Sequence, residues 1–374
     1  MTRVGIMSMQ RIANYGSFLQ AYGLKGILEE LGCTVEFVDY HPGKTLVSAE
    51  RRIGTISKIS KAARAIKIRA PLTERIRYIS YKKNFGGKYY AYLGIGEEKN
   101  YSPEVDVLVI GSDEVFNCVQ NNADVGFSPE LFGEESRAKR VITYAASFGN
   151  TTWEALENYQ VIDLVGAWIR KIDAVSVRDK NSGSIVKKLT GRNPEYHLDP
   201  VLVFDFVGKC REIPTEVPES DYMILYGYTG RFTDSECSAV RAYAEERELK
   251  IFCIGGIQAC CDKFIDCSPF QVIAYFQHAE CVVTDTFHGT ILSIITHRRF
   301  GVFVRDKGYG NREKIIDLLD TLKLDDRIID DLENVSEVIN RSIEYATVDE
   351  EINYKRKKSY LYLQKQIEKM GSLV

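Results

Sequence analysis

Two serial sets of alternating strands and helices in this 374-residue chain predict an α/β fold of two Rossmann-like domains facing a cleft. Three observations carry the prediction. Short apolar runs recur in alternation with helically spaced segments. The alternation pauses once, where Pro200, Pro214 and Pro218 gather, and then resumes. The length suits two or three domains of roughly 100–200 residues each. The expected boundaries are 1–205 for the first domain, with a basic insertion over 51–90, then 206–345 for the second. Residues 346–374 form a closing helix expected to pack back on the first domain.

Arg3 to Met9 reads as a strand and Asn14-Tyr15-Gly16-Ser17 as the turn behind it. From Phe18, the residues Leu19, Tyr22, Leu24, Ile27, Leu28 and Leu31 keep helical spacing until Gly32 stops it. Thr34 to Asp39 is a second strand, which completes the strand–helix–strand unit of a parallel sheet. Val105 to Ile110 is a continuous apolar run closed by Gly111, the pattern of a strand buried on both faces. Val141 to Ala146 is another. A helix over Trp153–Arg170, a strand over Ala174–Val177 and a helix over Ser182–Leu189 lead to Leu198-Asp199-Pro200. The second series has strands at Tyr222–Tyr226, Lys250–Ile254, Cys281–Thr284 and Phe300–Val304. Helices over Asp234–Glu246, Phe270–Phe276, Gly289–Thr296 and Glu313–Leu322 alternate with them, and Asp349–Met370 is a long charged helix.

A net charge of -3 argues against a nucleic-acid binder. No apolar stretch reaches the length of a membrane span, and Val4-Gly5-Ile6-Met7 is too short for a signal peptide, so the expected location is the cytoplasm. Nine cysteines without an export signal point to reduced thiols. Cys253, Cys260, Cys261 and Cys267 lack the paired spacing of a zinc site, and neither a metal nor a cofactor is expected. Residues 51–90 carry twelve basic side chains against one acid, Glu74, a local charge of +11. Peripheral docking on the inner face of an anionic membrane competes here with an ordinary solvated helical insertion or a lid.

Four polar stretches stand where strands end, the place at which open α/β sheets bind ligands. Asn14-Tyr15-Gly16 opens a helix whose free N–H groups suit an anion; a plain tight turn is the simpler reading. Ser112, Asp113 and Glu114 follow Gly111: Asp113 or Glu114 is placed to accept a proton or a hydrogen bond from a sugar hydroxyl, and Ser112 or Asp113 equally well to cap a helix. Arg178 suits a carboxylate or phosphate through its planar fork, or an internal salt bridge. Thr284-Asp285-Thr286-Phe287-His288-Gly289-Thr290 is the most informative stretch: an imidazole at a helix start can bind an anion or move a proton near neutral pH. A capping or buried histidine is its bland alternative.

These stretches occur in order with Tyr144-Ala145-Ala146-Ser147-Phe148-Gly149, Ser176-Val177-Arg178-Asp179 and Asn311-Arg312. The set resembles the polysaccharide pyruvyl transferase family. The resemblance implies a two-domain fold of the GT-B glycosyltransferase type, with the acceptor on the first domain and the donor on the second. It implies phosphoenolpyruvate as donor, a sugar of a surface polysaccharide or its lipid-linked precursor as acceptor, and a pyruvate ketal as product. It gives His288 the role of general acid, with Asp113 beside it in catalysis. Arg178, Thr286, His288, Gly289 and Arg312 are the implied donor residues, and Asn14, Tyr15, Gly16, Ser112 and Glu114 the acceptor or anion site. Two departures stand out: Thr286 where relatives carry an arginine, and Glu114-Val115-Phe116-Asn117 where Gln-x-Trp-Asn is common. Two other readings remain open. One is glycosyl transfer from a nucleotide sugar, with its diphosphate at Gly227-Tyr228-Thr229-Gly230. The other is a non-catalytic subunit of a polysaccharide assembly complex.

Overall fold

The computed structural model describes residues 1–47, 68–305 and 312–369. The strands are β1 (Arg3–Met7), β2 (Thr34–Phe37), β3 (Val107–Asp113), β4 (Arg140–Ala146), β5 (Ser176–Val177), β6 (Glu195–Tyr196), β7 (Tyr222–Tyr226), β8 (Lys250–Ile254), β9 (Lys263–Phe264), β10 (Cys281–Thr284) and β11 (Arg299–Val302). The helices are α1 (Tyr15–Glu30), α2 (Leu72–Tyr89), α3 (Trp153–Asn158), α4 (Ile162–Lys171), α5 (Lys180–Thr190), α6 (Pro200–Val203), α7 (Phe206–Lys209), α8 (Asp234–Glu246), α9 (Pro269–His278), α10 (Phe287–Ile295), α11 (Arg312–Leu322), α12 (Val335–Asn340) and α13 (Tyr345–Glu368).

Two sheets divide the strands, in the orders β2-β1-β3-β4-β5-β6 and β11-β10-β7-β8-β9. Every described pairing is parallel. The central strands are apolar along their length, with Val107, Val109, Ile142, Ile224, Leu225, Val282 and Val283 fully buried. Helices cover both faces of such strands, so no alternation of polar and apolar residues is needed.

The strand order sets where a ligand goes. The chain leaves β1 for β2 on one side and returns to β3 on the other; in the second sheet it leaves β7 for β8 and β9 and returns to β10. Each sheet therefore has one point at which its order reverses, the crevice at which such folds bind ligands. The loops after β1 and β3 meet the loops after β7 and β10: Asn14 Nδ2 donates to the Tyr228 hydroxyl at 3.2 Å.

Several boundaries differ from the sequence pattern. The single helix expected over Trp153–Arg170 is two, α3 and α4, because Gln160 adopts a left-handed φ of 55° that no helix interior tolerates. Gly111 does not end β3, which runs on through Asp113 at a φ of 79°. The short edge strands β6 and β9 had no apolar signal: β6 is Glu195-Tyr196, both exposed.

Of the basic segment, 51–67 lies outside the described residues. Its remainder forms α2, whose inner face binds the two domains together. Tyr81 packs on Tyr15 at 5.3 Å and on Phe264 at 5.5 Å, while Glu74 accepts a hydrogen bond from the Phe264 N–H at 2.8 Å. Helix α13 starts on the second domain, where the Asp349 carboxylate meets His297 Nε2 at 3.0 Å. It ends on the first sheet, where the Tyr362 hydroxyl donates to Thr143 O at 2.8 Å.

Candidate active site

The facing reversal points hold one polar cluster, built outward from Arg178. This side chain leaves the end of β5 and is only 2% exposed. Its Nη1 donates to Asp199 Oδ2 at 2.7 Å and its Nη2 to Asp113 Oδ1 at 3.2 Å, and its guanidinium lies 4.6 Å from the centre of the Phe287 ring. Asp199 caps α6, where Pro200 takes the first helical position, and accepts from the Val201 N–H at 3.0 Å. Ser112 Oγ lies 3.2 Å from Asp199 Oδ2, and Ser17 Oγ donates to Asp113 Oδ2 at 2.9 Å.

Both carboxylates are ionised near neutral pH. Burial pushes Asp113 up, but the Arg178 and His288 charges outweigh it and hold it below the usual range. Burial likewise opposes ionisation of Asp199, yet His288 and Arg178 bring it down to about 2. Neither carboxylate is therefore a strong base; each is fitted to accept hydrogen bonds and to hold a cation.

His288 enters from the second domain at the first turn of α10. Its Nε2 lies 3.7 Å from Asp199 Oδ2, beyond hydrogen-bond reach, and makes no hydrogen bond. Catalytic contacts of this kind often shorten only when substrate binds. The loop before it is pinned by Asp285, a buried carboxylate 3.1 Å from Arg231 Nε and 3.0 Å from Arg305 Nε. Thr286 caps α10 by accepting from the Gly289 N–H at 3.0 Å. Those two residues thus satisfy each other. Gly289 has no room for a side chain: a Cβ there would meet Thr284 Oγ1 at 2.1 Å.

Gly16 is the partner of His288 across the cleft. A Cβ on Gly16 would lie 2.2 Å from His288 Nδ1, so the imidazole occupies the space that only glycine leaves. Gly16→Ala is expected to push the ring aside and to cut turnover by about 100-fold, the scale of an ångström's misplacement of a reacting group. Wild-type turnover in that variant would mean that the observed ring position is not the working one.

The cluster brings together Asn14, Gly16, Ser112, Asp113, Arg178 and His288. Asn14 caps α1 through the Gly16 N–H at 2.7 Å. Tyr15 points elsewhere: it is buried, and its hydroxyl donates to Cys267 O at 2.8 Å in the contact between domains. Glu114 pairs with Lys314 of α11 and accepts from Asn117 Nδ2 at 2.9 Å. Arg312, the first residue of α11, is exposed. Sequence reasoning gave no role to Asp199, Ser17 and Lys314, and named Tyr228 only within the loop of the alternative diphosphate reading. Asp199 had a signal, an aspartate directly before the proline that opens a helix; Lys314 had none, since Glu114 lies far away in the chain.

Fold and site together define a two-domain α/β protein with a charged cleft between its sheets. The family model for polysaccharide pyruvyl transferase matches residues 14–307, and the chain belongs to that family, transferases that act on polysaccharide. A search of the curated proteins gives no match. Among solved structures, a UDP-GlcNAc 2-epimerase from Methanocaldococcus jannaschii, in complex with UDP-GlcNAc and UDP, aligns at a TM-score of 0.47 and 9% identity, over 95% of this chain and 99% of that one. MurG from Acinetobacter baumannii aligns at 0.43 and 10%, over 99% and 100%. A mutant O-GlcNAc transferase from Thermobaculum terrenum aligns at 0.43 and 10%, over 100% of this chain and 66% of that one. Among the described residues no helix is long and apolar enough to cross a membrane.

Proposed function

We propose that the chain transfers the pyruvyl group of phosphoenolpyruvate to two hydroxyls of one sugar, forming a cyclic ketal. The observation that carries this reading is the convergence of His288, Arg178 and Asp113 at the cleft in a chain of this family. His288 gives a proton to the methylene carbon of the enol, which leaves an oxocarbenium-like centre at the adjoining carbon. A sugar hydroxyl attacks that carbon, and the bond to the phosphate oxygen breaks. The second hydroxyl then closes the ring. Of the two hydroxyl protons, one balances the proton now in the methyl group and the other leaves with phosphate. Asp113 and Asp199 hold the cationic side of the cleft, and Asp113 orients the incoming hydroxyl rather than taking its proton. A lipid-linked acceptor would bring the protein to a membrane surface, towards which Arg69, Arg77, Lys83 and Lys88, all exposed, offer charge.

The test is thermal stability with phosphoenolpyruvate against a panel of nucleotide sugars. A ligand that binds only the folded state stabilises it by about 2.7 kcal/mol at a hundredfold excess over its dissociation constant. Phosphoenolpyruvate alone is expected to raise the melting temperature. A rise with a nucleotide sugar and none with phosphoenolpyruvate would replace this reading with glycosyl transfer.

A further inference from the structure

Lys314 belongs to the second domain, on the first turn of α11, yet its ammonium reaches across to Glu114 of the first. Its side chain is 5% exposed, where a lysine ordinarily carries its charge to water. Such burial is costly without a partner. Two other contacts draw α11 to the first domain: the Lys180 N–H donates to Asp317 Oδ2 at 2.8 Å, and Lys180 Nζ to Asp320 Oδ2 at 2.7 Å.

The pair is unequal. Glu114 is 30% exposed, so its carboxylate stands on the open side and the ammonium on the closed side. Arg178, by contrast, is committed to two carboxylates, of which Asp199 is wholly buried. Glu114 is the carboxylate that water, or a ligand, can displace. It also adjoins Asp113, so whatever displaced it would lie beside the cluster around Arg178.

Resting on the pyruvyl-transfer reading, we propose that Lys314 is an anion-binding residue of the donor site. Glu114 holds its ammonium until a carboxylate or phosphate of the donor takes the place of the Glu114 carboxylate. A purely structural ion pair would behave differently: removing either partner would weaken the domain contact, with no opposite effects on ligand binding.

The experiment measures calorimetric binding of phosphoenolpyruvate and of inorganic phosphate to wild type, Lys314→Gln, Lys314→Arg and Glu114→Gln, with melting temperatures alongside. Lys314→Gln is expected to weaken both ligands by at least about tenfold, as loss of a hydrogen bond to a charged group does. Lys314→Arg should recover much of the affinity, and Glu114→Gln should tighten binding several-fold. Glu114→Gln also serves as the control for a Lys314 variant that folds poorly. The proposal is overturned if both neutral variants lower the melting temperature but leave affinity alone or shift it in one direction, or if wild type binds neither ligand. Phosphate binding lost in Lys314→Gln, with no phosphoenolpyruvate binding in wild type, would keep the anion site and overturn the donor.

Discussion

The His288→Ala protein is expected to bind phosphoenolpyruvate within a few-fold of wild type and to release phosphate from it roughly 100–10,000-fold more slowly in the presence of acceptor. The reason is positional. His288 Nε2 makes no hydrogen bond and lies 3.7 Å from Asp199 Oδ2, and the ring packs against Gly16, so the imidazole is held in place without its Nε2 being used up by a partner. In the proposed mechanism the His288 proton is spent in the reacting step itself, and a loss confined to turnover is the signature of an interaction made in the transition state. Equal losses in affinity and turnover would recast His288 as a binding residue. Undiminished turnover would favour a protein whose chemistry lies elsewhere.

The second large effect is on stability. Arg178→Ala leaves Asp113 and the fully buried Asp199 without their shared cation, and such removals cost about 3–5 kcal/mol. The sign of its pH dependence follows from Asp199. His288 and Arg178 together bring its folded pKa to about 2, below the ordinary value of 3.8, so its charged form contributes stability above that ordinary value, and the contribution fades as pH falls towards 2. In the variant, burial acts without Arg178, and the carboxylates take up protons at higher pH. The gap between the two proteins should therefore be widest near neutrality and narrow in acid, as read by urea unfolding across pH. A gap under about 1 kcal/mol at pH 7 would mean that the pairing is not a structural support.

The two α/β units were legible because buried parallel strands write themselves as unbroken apolar runs, as at 107–110 and 281–283. The strand-end motifs were legible for a related reason: polar residues directly after such a run have few places to go but the crevice. What escaped has physical causes. The break at Gln160 depends on one backbone angle with no glycine or proline to announce it. Tyr15 sits next to Gly16, yet neighbouring residues on a helix face different ways, and its ring went to the contact between domains. Lys314 acquires its role only once the two domains meet, and no local pattern records that meeting.

Helix α13 carries a mechanical consequence. Its 24 residues span about 36 Å, with Tyr345 bonded to Arg298 O at one end and Gln366 to Arg140 at the other. A stiff rod pinned to both halves acts as a strut. It fixes their separation along its length, and so holds the facing strand ends of the cleft in alignment.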